Sequence, residues 1–420
     1  MDRILNRVYS IVNHPVAQLD EMFRLVYVDG LGASLFYLSD NSDIIRLFFQ
    51  VWAQSILGSV PLDMRAWRDD SFAVRRAISI RRKGLRLYDF LFDAFYLLLE
   101  ASPRGYNSSL AKRAYFFFEP ISSKRALKAV YALFMENVPC SRISTVLLQH
   151  RMNNDLFLRK KETKVLIVAN VSAGKSTLIN ALTGFRTRQV KTTVCTSIIQ
   201  AVFNKYQEDG ISYTRDDGSY GYCSAVEEIR SEEYVDSAYH FSSSLSDYPI
   251  CFIDSPGLNY SEDVSHRRLT ETIVKKQSYD LVIYVSNSQF FGTSDEQKAL
   301  LFLRNNTSKP IIFVLNQLDR FKQKDESIAK MVNDFRTDLI KLGFSVPIVA
   351  PLSARAALFF KLPAERLDEE DREEKLLFQC QFQKPYYNLI SYVHESNDSN
   401  LLCRTGIKYL EQRIINILYK

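Results

Sequence analysis

The sequence predicts an α/β domain with a mainly parallel, doubly wound sheet, preceded by an all-α helical domain. From Lys164 onward, short apolar runs alternate with helical stretches, as in doubly wound folds. Before that point, apolar residues recur at three- and four-residue steps, as in helices. The charge also changes there: residues 1–161 hold 23 Lys and Arg against 15 Asp and Glu, whereas residues 162–420 hold 31 against 33. We therefore expect two domains, 1–160 and 161–420.

The first domain is expected to be a helical bundle with an aromatic core. Its predicted helices are 42–57, 71–101 and 122–138. The most apolar run, 88–101, is interrupted by Asp89 and Asp93 and is shorter than the ~20 residues that span a bilayer. The start of the chain lacks the pattern of a signal peptide, and the six cysteines form no CxxC pair. We expect a cytoplasmic protein without a transmembrane helix.

The second domain is expected to alternate strands and helices. Near-continuous apolar runs are typical of strands buried on both faces of a parallel sheet. The predicted strands are 164–169, 197–203, 248–254, 280–286, 309–315 and 346–352. The predicted helices are 175–182, 265–277, 294–304, 327–342 and a closing helix at 405–420.

The stretch KVLIVANVSAGKSTLINALTG has the order of a phosphate-binding loop between a strand and a helix. Backbone N–H groups of such a loop and the helix N-terminus bind phosphates. Lys175 would reach the β- and γ-phosphates, and the Ser176 hydroxyl would ligate Mg²⁺. Ala169 stands where the motif usually has glycine. The other expected nucleotide contacts in this loop are Asn170, Ser172, Ala173, Gly174 and Thr177. The alternative is an ordinary helix N-terminus.

The second motif is DSPG, which directly follows the predicted strand 248–254. In phosphate-loop proteins, the carboxylate at this strand end binds Mg²⁺ through water, and a following glycine N–H contacts the γ-phosphate. Asp254 and Gly257 fit these roles. The alternative is an ordinary Asp-Ser-Pro-Gly β-turn.

The third motif is NQLD, after the strand 309–315, and it predicts guanine binding. The Asp319 carboxylate would accept hydrogen bonds from two guanine donors that adenine lacks, so that GTP and GDP are the expected substrate and product. Asn316 would hold the phosphate loop, and Gln317 replaces the usual lysine beneath the base. The backbone N–H groups of Ser353 and Ala354 would contact the guanine O6.

With these motifs, residues 164–420 resemble the dynamin superfamily, in its bacterial dynamin-like and mitofusin-type branch. The resemblance rests on the segments SAGKSTLINALTG, CTS, IDSPGL, GTSDEQKALL, FVLNQLD, PLSARAAL and GIKYLEQRI. The resemblance implies a large GTPase that is stimulated by dimerisation of its G domains, or by pairing with a related GTPase. Its helical stalk usually follows the G domain, whereas the helical segment here precedes it.

The resemblance also implies catalytic residues. Ser172 matches the loop serine that positions the attacking water, and Lys175 the phosphate-loop lysine. Thr196 matches the switch threonine that ligates Mg²⁺ and orients the water, although Val194 replaces the family's proline. Competing choices nearby are Thr192, Thr193 and Ser197. Leu258 follows DSPG, so no glutamine activates the water.

A basic face is predicted in the first domain if residues 71–87 form one helix. Arg75, Arg76, Arg82, Lys83 and Arg86 would then share an arc of about 120°. Such a face could bind an anionic membrane, nucleic acid phosphates, or the acidic segment 364–374 of the same or another chain. The alternative is a solvated surface. We do not expect nucleic acid to be the partner.

Three functions of different kinds follow from these predictions. The first is a Mg²⁺-dependent GTPase whose helical domain couples the nucleotide state to assembly or to partner or membrane binding. The second is a slow or inactive GTP-dependent switch that recruits a protein partner through the helical domain. A membrane or nucleic-acid adaptor that uses the basic face is a third.

Overall fold

The computed structural model divides the chain into two compact units. The first unit contains Met1–Arg159 and Lys205–Tyr239, and the second contains Lys160–Asn204 and His240–Lys420. The structure describes residues 13–38, 43–57, 71–80, 87–100, 108–169, 172–186, 199–206, 210–215, 218, 220–223, 235–256, 258, 264–289, 291–324, 327–393 and 400–420.

The α-helices are α1 (Glu21–Leu38), α2 (Asp43–Leu57), α3 (Ser71–Ile78), α4 (Leu87–Glu100), α5 (Ser108–Phe118), α6 (Lys124–Met135), α7 (Thr145–Arg159), α8 (Lys175–Thr183), α9 (Val264–Lys276), α10 (Ser294–Asn306), α11 (Ile328–Lys341), α12 (Ala354–Lys361), α13 (Glu369–Phe382), α14 (Leu401–Arg404) and α15 (Ile407–Leu418). The strands are β1 (Thr163–Ala169), β2 (Gln200–Asn204), β3 (Ile211–Thr214), β4 (Tyr220–Cys223), β5 (Ser237–Tyr239), β6 (Ile250–Asp254), β7 (Leu281–Asn287), β8 (Ile311–Asn316) and β9 (Ile348–Pro351).

The first unit has an aromatic core, since Tyr27, Trp52 and Phe90 are fully or almost fully buried. A buried polar group lies within it: Asp93 accepts a hydrogen bond from the Tyr27 hydroxyl at 2.6 Å and lies 3.0 Å from Nε2 of His14. Pairing of this kind is what allows a carboxylate to be buried. No helix in the described ranges is both long enough and apolar enough to cross a bilayer.

Two features of the first unit differ from the sequence prediction. It contains strands as well as helices, because β3 pairs antiparallel with both β4 and β5. The predicted continuous helix 71–101 is also wrong. α3 ends at Ile78, where the Ser79 hydroxyl donates a hydrogen bond to the Arg76 carbonyl at 2.7 Å and competes with helix continuation. Residues 71–87 therefore do not form the single helix on which the predicted basic arc depended.

The second unit is the predicted α/β fold with a mainly parallel sheet. Its strand order is β2-β6-β1-β7-β8-β9, in which β2 alone is antiparallel to its described neighbour. The central strands β1 and β7 are buried along nearly their whole length, as strands covered on both faces must be. The parallel arrangement brings the carboxyl ends of β1, β6, β7, β8 and β9 to one edge of the sheet.

The closing helix predicted at 405–420 is α15, which the short helix α14 precedes. Gly406 separates α14 from α15 with φ of 86°. A Cβ atom at this position would lie 2.0 Å from the Pro351 carbonyl oxygen, so a glycine is required both by the space and by the backbone conformation. The end of the chain returns to the sheet, where the hydroxyl oxygens of Tyr419 and Thr163 lie 2.5 Å apart.

A buried ion pair joins α12, α15 and the last turn of α8. The Lys361 ammonium donates to Glu411 Oε1 at 2.5 Å and to the Ala181 carbonyl at 2.6 Å. Glu411 is fully buried and also accepts from the Ser244 N–H and from Lys408. Burial lowers the pKa of Lys361, while burial of Glu411 is outweighed by the Lys361 charge, which holds the Glu411 pKa below its usual value.

Replacing one member of this pair should be strongly destabilising. In Glu411→Gln, Lys361 remains buried without its counter-charge, which should lower the free energy of unfolding by about 3–5 kcal/mol. Urea unfolding of the full chain measures this change. Asp338→Asn is the matched control, because Asp338 pairs with Lys341 on the protein surface and such pairs contribute less than about 1 kcal/mol. Equal effects of the two substitutions would contradict the assignment.

Candidate functional site

The phosphate-type loop begins where β1 ends. Ala169 is the last residue of β1, pairs in register with Val285 of β7 and is buried. Its carbonyl accepts a hydrogen bond from the Leu258 N–H at 3.2 Å. Alanine suits an extended strand position, which explains why the motif's usual first glycine is not needed here. Asn170 and Val171 lie outside the described residues.

The unusual backbone of the loop lies further along, at Ser172 and Gly174. Both residues have positive φ, of 58° and 86°. A Cβ atom on Gly174 would lie 2.6 Å from Nδ2 of Asn316. Gly174 is therefore required by its backbone conformation and by the close approach of the Asn316 side chain.

The helix that follows presents its N-terminus at the end of this loop. α8 begins at Lys175, and its N-cap residue, Gly174, has no side chain to cap the first N–H groups. Unpaired N–H groups and the positive end of the helix dipole favour an anion here. Ser176 and Thr177 lie half-buried in the first turn, and Ala173 is buried just before it.

Asp254 stands beside this helix at the end of β6. β6 runs parallel to β1, with Asp254 in register with Ile167. The Lys175 ammonium contacts Asp254 Oδ1, whereas Asp254 Oδ2 is buried without a hydrogen-bond partner among the described residues. The next residue, Ser255, anchors the chain to β1, because its hydroxyl donates to the Ile167 carbonyl at 2.8 Å.

Asn316, at the end of β8, connects two parts of the site. Its Nδ2 donates to the Ala173 carbonyl at 2.8 Å, and its Oδ1 accepts from the Ala354 N–H at 3.0 Å. The side chain is almost completely buried. Both polar ends of this amide are thus used, one on the phosphate-type loop and one at the start of α12.

Gln317 and Asp319 form the next part of the loop after β8. Gln317 has φ of 68°, and its Nε2 donates to the Ser172 carbonyl at 2.7 Å. Asp319 lies half-exposed in a short 3-10 helix, Leu318–Arg320. No described residue donates a hydrogen bond to its carboxylate, while its backbone carbonyl accepts from Gln381 of α13 at 2.6 Å.

Ser353 and Ala354 follow β9 at the same edge of the sheet. Ser353 caps α12 through its hydroxyl, which accepts from the Ala356 N–H at 3.2 Å. The Ser353 N–H donates to the Thr405 carbonyl at 3.0 Å. With the Ala354 N–H bound to Asn316, both groups predicted for the guanine O6 have partners within the protein.

The sequence analysis missed two residues at the end of β7 and in α10. Asn287 Nδ2 donates to the Ser172 carbonyl at 3.3 Å. Glu296 is buried and accepts from the Ser286 hydroxyl and from the Gly292 N–H; its burial raises the Glu296 pKa. The signal for Asn287 was available, since it is a polar residue at the carboxyl end of a predicted parallel strand.

Some predicted residues lie outside the described part of the chain and stay predictions. For the nucleotide and metal these are Asn170, Thr196 and Gly257, together with the alternatives to Thr196. On the basic face they are Arg82, Lys83 and Arg86, whereas Arg75 and Arg76 are described and exposed on α3.

Several solved structures are distantly similar to this chain. Era in complex with MgGDPNP and part of 16S ribosomal RNA is 15% identical (TM-score 0.31, 57% of this chain and 60% of that one). A structure from an oligomerised bacterial dynamin pair is 17% identical (0.35, 67% and 41%). The G domain of T. maritima FeoB is 18% identical (0.26, 51% and 96%). This chain thus spans less than two thirds of the length of the Era and bacterial dynamin structures. No curated protein matches it.

Comparison with protein families gives a direct match over part of the chain. The model of the dynamin family matches residues 165–318, which run from β1 to the turn after β8 and include Lys175, Asp254 and Asn316. The match covers less than half of the chain. Residues 165–318 are therefore similar to the dynamin family.

Proposed function

We propose that this protein is a dynamin-like GTPase that binds GTP with Mg²⁺ and hydrolyses it to GDP and phosphate. The observation that carries the proposal is the double use of Asn316, which binds both the Ala173 carbonyl and the Ala354 N–H. This amide fixes the phosphate-type loop relative to the loops after β8 and β9. One nucleotide could then contact all three.

The phosphates would lie at the N-terminus of α8. Backbone N–H groups of the loop 170–174, of Lys175 and of Thr177 would bind them. The Lys175 side chain would add one ammonium group. Lys175 is only slightly exposed, and its partner Asp254 is buried, so its charge acts in a medium of reduced dielectric constant. A phosphate there gains more from this charge than it would in water.

The acidic and hydroxyl groups near α8 suit Mg²⁺. Asp254 Oδ2 is a buried carboxylate oxygen without a described partner, and hard oxygen ligands are those that Mg²⁺ prefers. Asp254 and Ser176 would hold the ion, with Thr196 as a third ligand. When bound, Mg²⁺ neutralises charge on the β- and γ-phosphates.

The base would be recognised by the loop after β8, where Asp319 offers its carboxylate. Gln317 connects this loop to the phosphate-type loop, because its side chain donates a hydrogen bond to the Ser172 carbonyl. Asn316 and the Ser353–Ala354 segment complete the surroundings of the base. An N–H contact to the guanine O6 would require the Ser353 or Ala354 group to exchange or share its present acceptor.

Hydrolysis would use the chain's own loop residues to position water. Ser172 is exposed and has a left-handed backbone held by Gln317 and Asn287. Ser172 and the switch residue Thr196 would orient the attacking water, while Lys175 stabilises the developing charge. The residue after DSPG is Leu258, which cannot activate water. Dimerisation of G domains would provide the activation of water that Leu258 cannot.

The helical domain would couple the nucleotide state to assembly or to a partner. We propose domains 1–160 and 161–420, a cytoplasmic location and peripheral contact with an anionic membrane through the basic residues of the 75–86 region. A slow or inactive switch that recruits a protein partner is the alternative. It is supported by the departures from the family pattern at Gln317 and Val194.

The first test removes the phosphate-binding cation. Lys175→Ala should weaken GTP and GDP binding about 10- to 100-fold, because a charge-assisted hydrogen bond contributes about 1.5–3 kcal/mol. Titration of a fluorescent GTP analogue measures the affinity. Lys330→Ala, at an exposed position of α11, is the control and should bind as the native chain does. Unchanged binding by Lys175→Ala would place the phosphates elsewhere.

The second test changes base recognition. In Asp319→Asn, one amide N–H₂ would face the guanine amino group, so GTP affinity should fall by about 1–3 kcal/mol. Xanthosine triphosphate, which has an oxygen in place of that amino group, should bind the variant better than it binds the native chain. Competition among GTP, ATP and xanthosine triphosphate measures both changes. Asp334→Asn on the exposed side of α11 is the control. Retained preference for GTP in Asp319→Asn would refute the assignment.

The third test separates the enzyme from the switch. If G-domain dimers stimulate hydrolysis, phosphate release per mole of protein should rise with protein concentration, since the dimer population rises by mass action. Release measured over a dilution series with excess GTP and Mg²⁺ gives the answer. Tight GTP binding without turnover at any concentration would contradict the enzyme and favour the switch.

A further inference from the structure

The helix α13 has an exposed face that its own unit does not cover. At 100° per residue, Glu369, Glu373, Leu376, Leu377 and Cys380 fall within an arc of about 100°, and all five are exposed. The two leucines are 60% and 70% exposed. On the opposite side, Phe378 and Phe382 are buried in the second unit. Leu376 and Leu377 are adjacent, so their exposed side chains lie next to each other on this face rather than scattered over the surface.

The acidic part of this face is unpaired within the described structure. Neither Glu369 nor Glu373 has an ion-pair partner there, and Glu370 beside them has none. By contrast, the flanking acids are used: Asp371 binds Arg186, and Glu374 binds Arg355 at 2.7 Å. The face therefore carries negative charge at its N-terminal end and apolar side chains at its C-terminal end.

The helix α3 has an exposed face of the opposite charge. Phe72, Arg75 and Arg76 fall within an arc of about 100°, and all three are exposed, Phe72 by 65%. Val74 and Ala77 on the other side are buried in the first unit. Neither arginine has an ion-pair partner among the described residues.

We propose that the α13 face of one copy of this chain docks the α3 face of a second copy, which would replace the membrane contact considered above for Arg75 and Arg76. The residues match when the two helices run antiparallel: Arg75 and Arg76 then oppose Glu369 and Glu373, and Phe72 opposes Leu376 and Leu377. One helical turn separates the charged from the apolar part on each helix. The antiparallel order also places the basic last turn of α3 beside the acidic first turn of α13, as the two helix dipoles favour.

This contact uses a different surface on each copy. Such heterologous contacts produce rings if the rotation closes and open chains if it does not. The contact does not involve the nucleotide site, so it should form without nucleotide. Because it depends on exposed charges, it should weaken as salt is raised.

Charge reversal tests the contact in the nucleotide-free full chain. Arg75→Glu/Arg76→Glu and Glu369→Lys/Glu373→Lys should each raise the apparent dissociation constant of self-association about tenfold or more, since like charges then face each other. An equimolar mixture of the two variants should associate again, because each reversed face finds its complement on the other chain. The variant with all four substitutions should associate by itself. Sedimentation velocity over a range of protein and salt concentrations measures each state.

The controls reverse charge elsewhere. Arg125→Glu/Lys128→Glu changes two exposed cations of α6, and Asp334→Lys an exposed acid of α11; neither should alter self-association. A native chain that stays monomeric at all concentrations would overturn the proposal, as would reversed variants that associate normally or a mixture that does not recover. Binding of native chain to phosphatidylserine vesicles that is lost in Arg75→Glu/Arg76→Glu, with self-association unchanged, would overturn it too and assign the α3 face to a membrane.

Discussion

The candidate site depends on one buried amide, the side chain of Asn316. Its nitrogen binds the Ala173 carbonyl before α8, and its oxygen binds the Ala354 N–H at the start of α12. Each of these bonds replaces one with water, so that each is worth only about 1 kcal/mol, but together they fix the relative position of two loops. The close approach also explains Gly174, whose Cβ would collide with this amide. The shape of the loop therefore follows from a residue more than 140 positions later in the sequence.

Two buried ion pairs of the second unit differ in how many of their carboxylate oxygens accept hydrogen bonds. In the pair Lys361–Glu411, both carboxylate oxygens of Glu411 accept hydrogen bonds. In the pair Lys175–Asp254, one carboxylate oxygen is buried without a described partner. Burying an unpaired polar atom costs about 1–3 kcal/mol, which a fold tolerates where a ligand will supply the missing bond. The carboxylate of Glu411 is thus fully used within the fold, whereas Asp254 keeps one oxygen that a ligand could use.

The α/β fold could be predicted from the sequence because the strands of its sheet are near-continuous apolar runs. The order of the motifs also predicted that Lys175, Asp254 and Asn316 come together, since the carboxyl ends of parallel strands meet at one edge. It could not predict where helices break. Ser79 interrupts the helical pattern of 71–101 through a local hydrogen bond, which has no periodicity. The pairing of β3 with β4 and β5 was missed because these strands have only three or four residues.

The discontinuous first unit has a consequence for the order in which the chain folds during synthesis. Residues 205–239 belong to this unit, but they are preceded by β1, α8 and β2 of the second unit. The helices up to Arg159 leave the ribosome well before the strands that complete their unit. At about 5–20 residues per second, roughly 80 further residues delay completion by several seconds. During that interval, contacts among the helices alone must keep their apolar surfaces buried. The aromatic core therefore keeps the nascent chain compact until the strands of the first unit have been made.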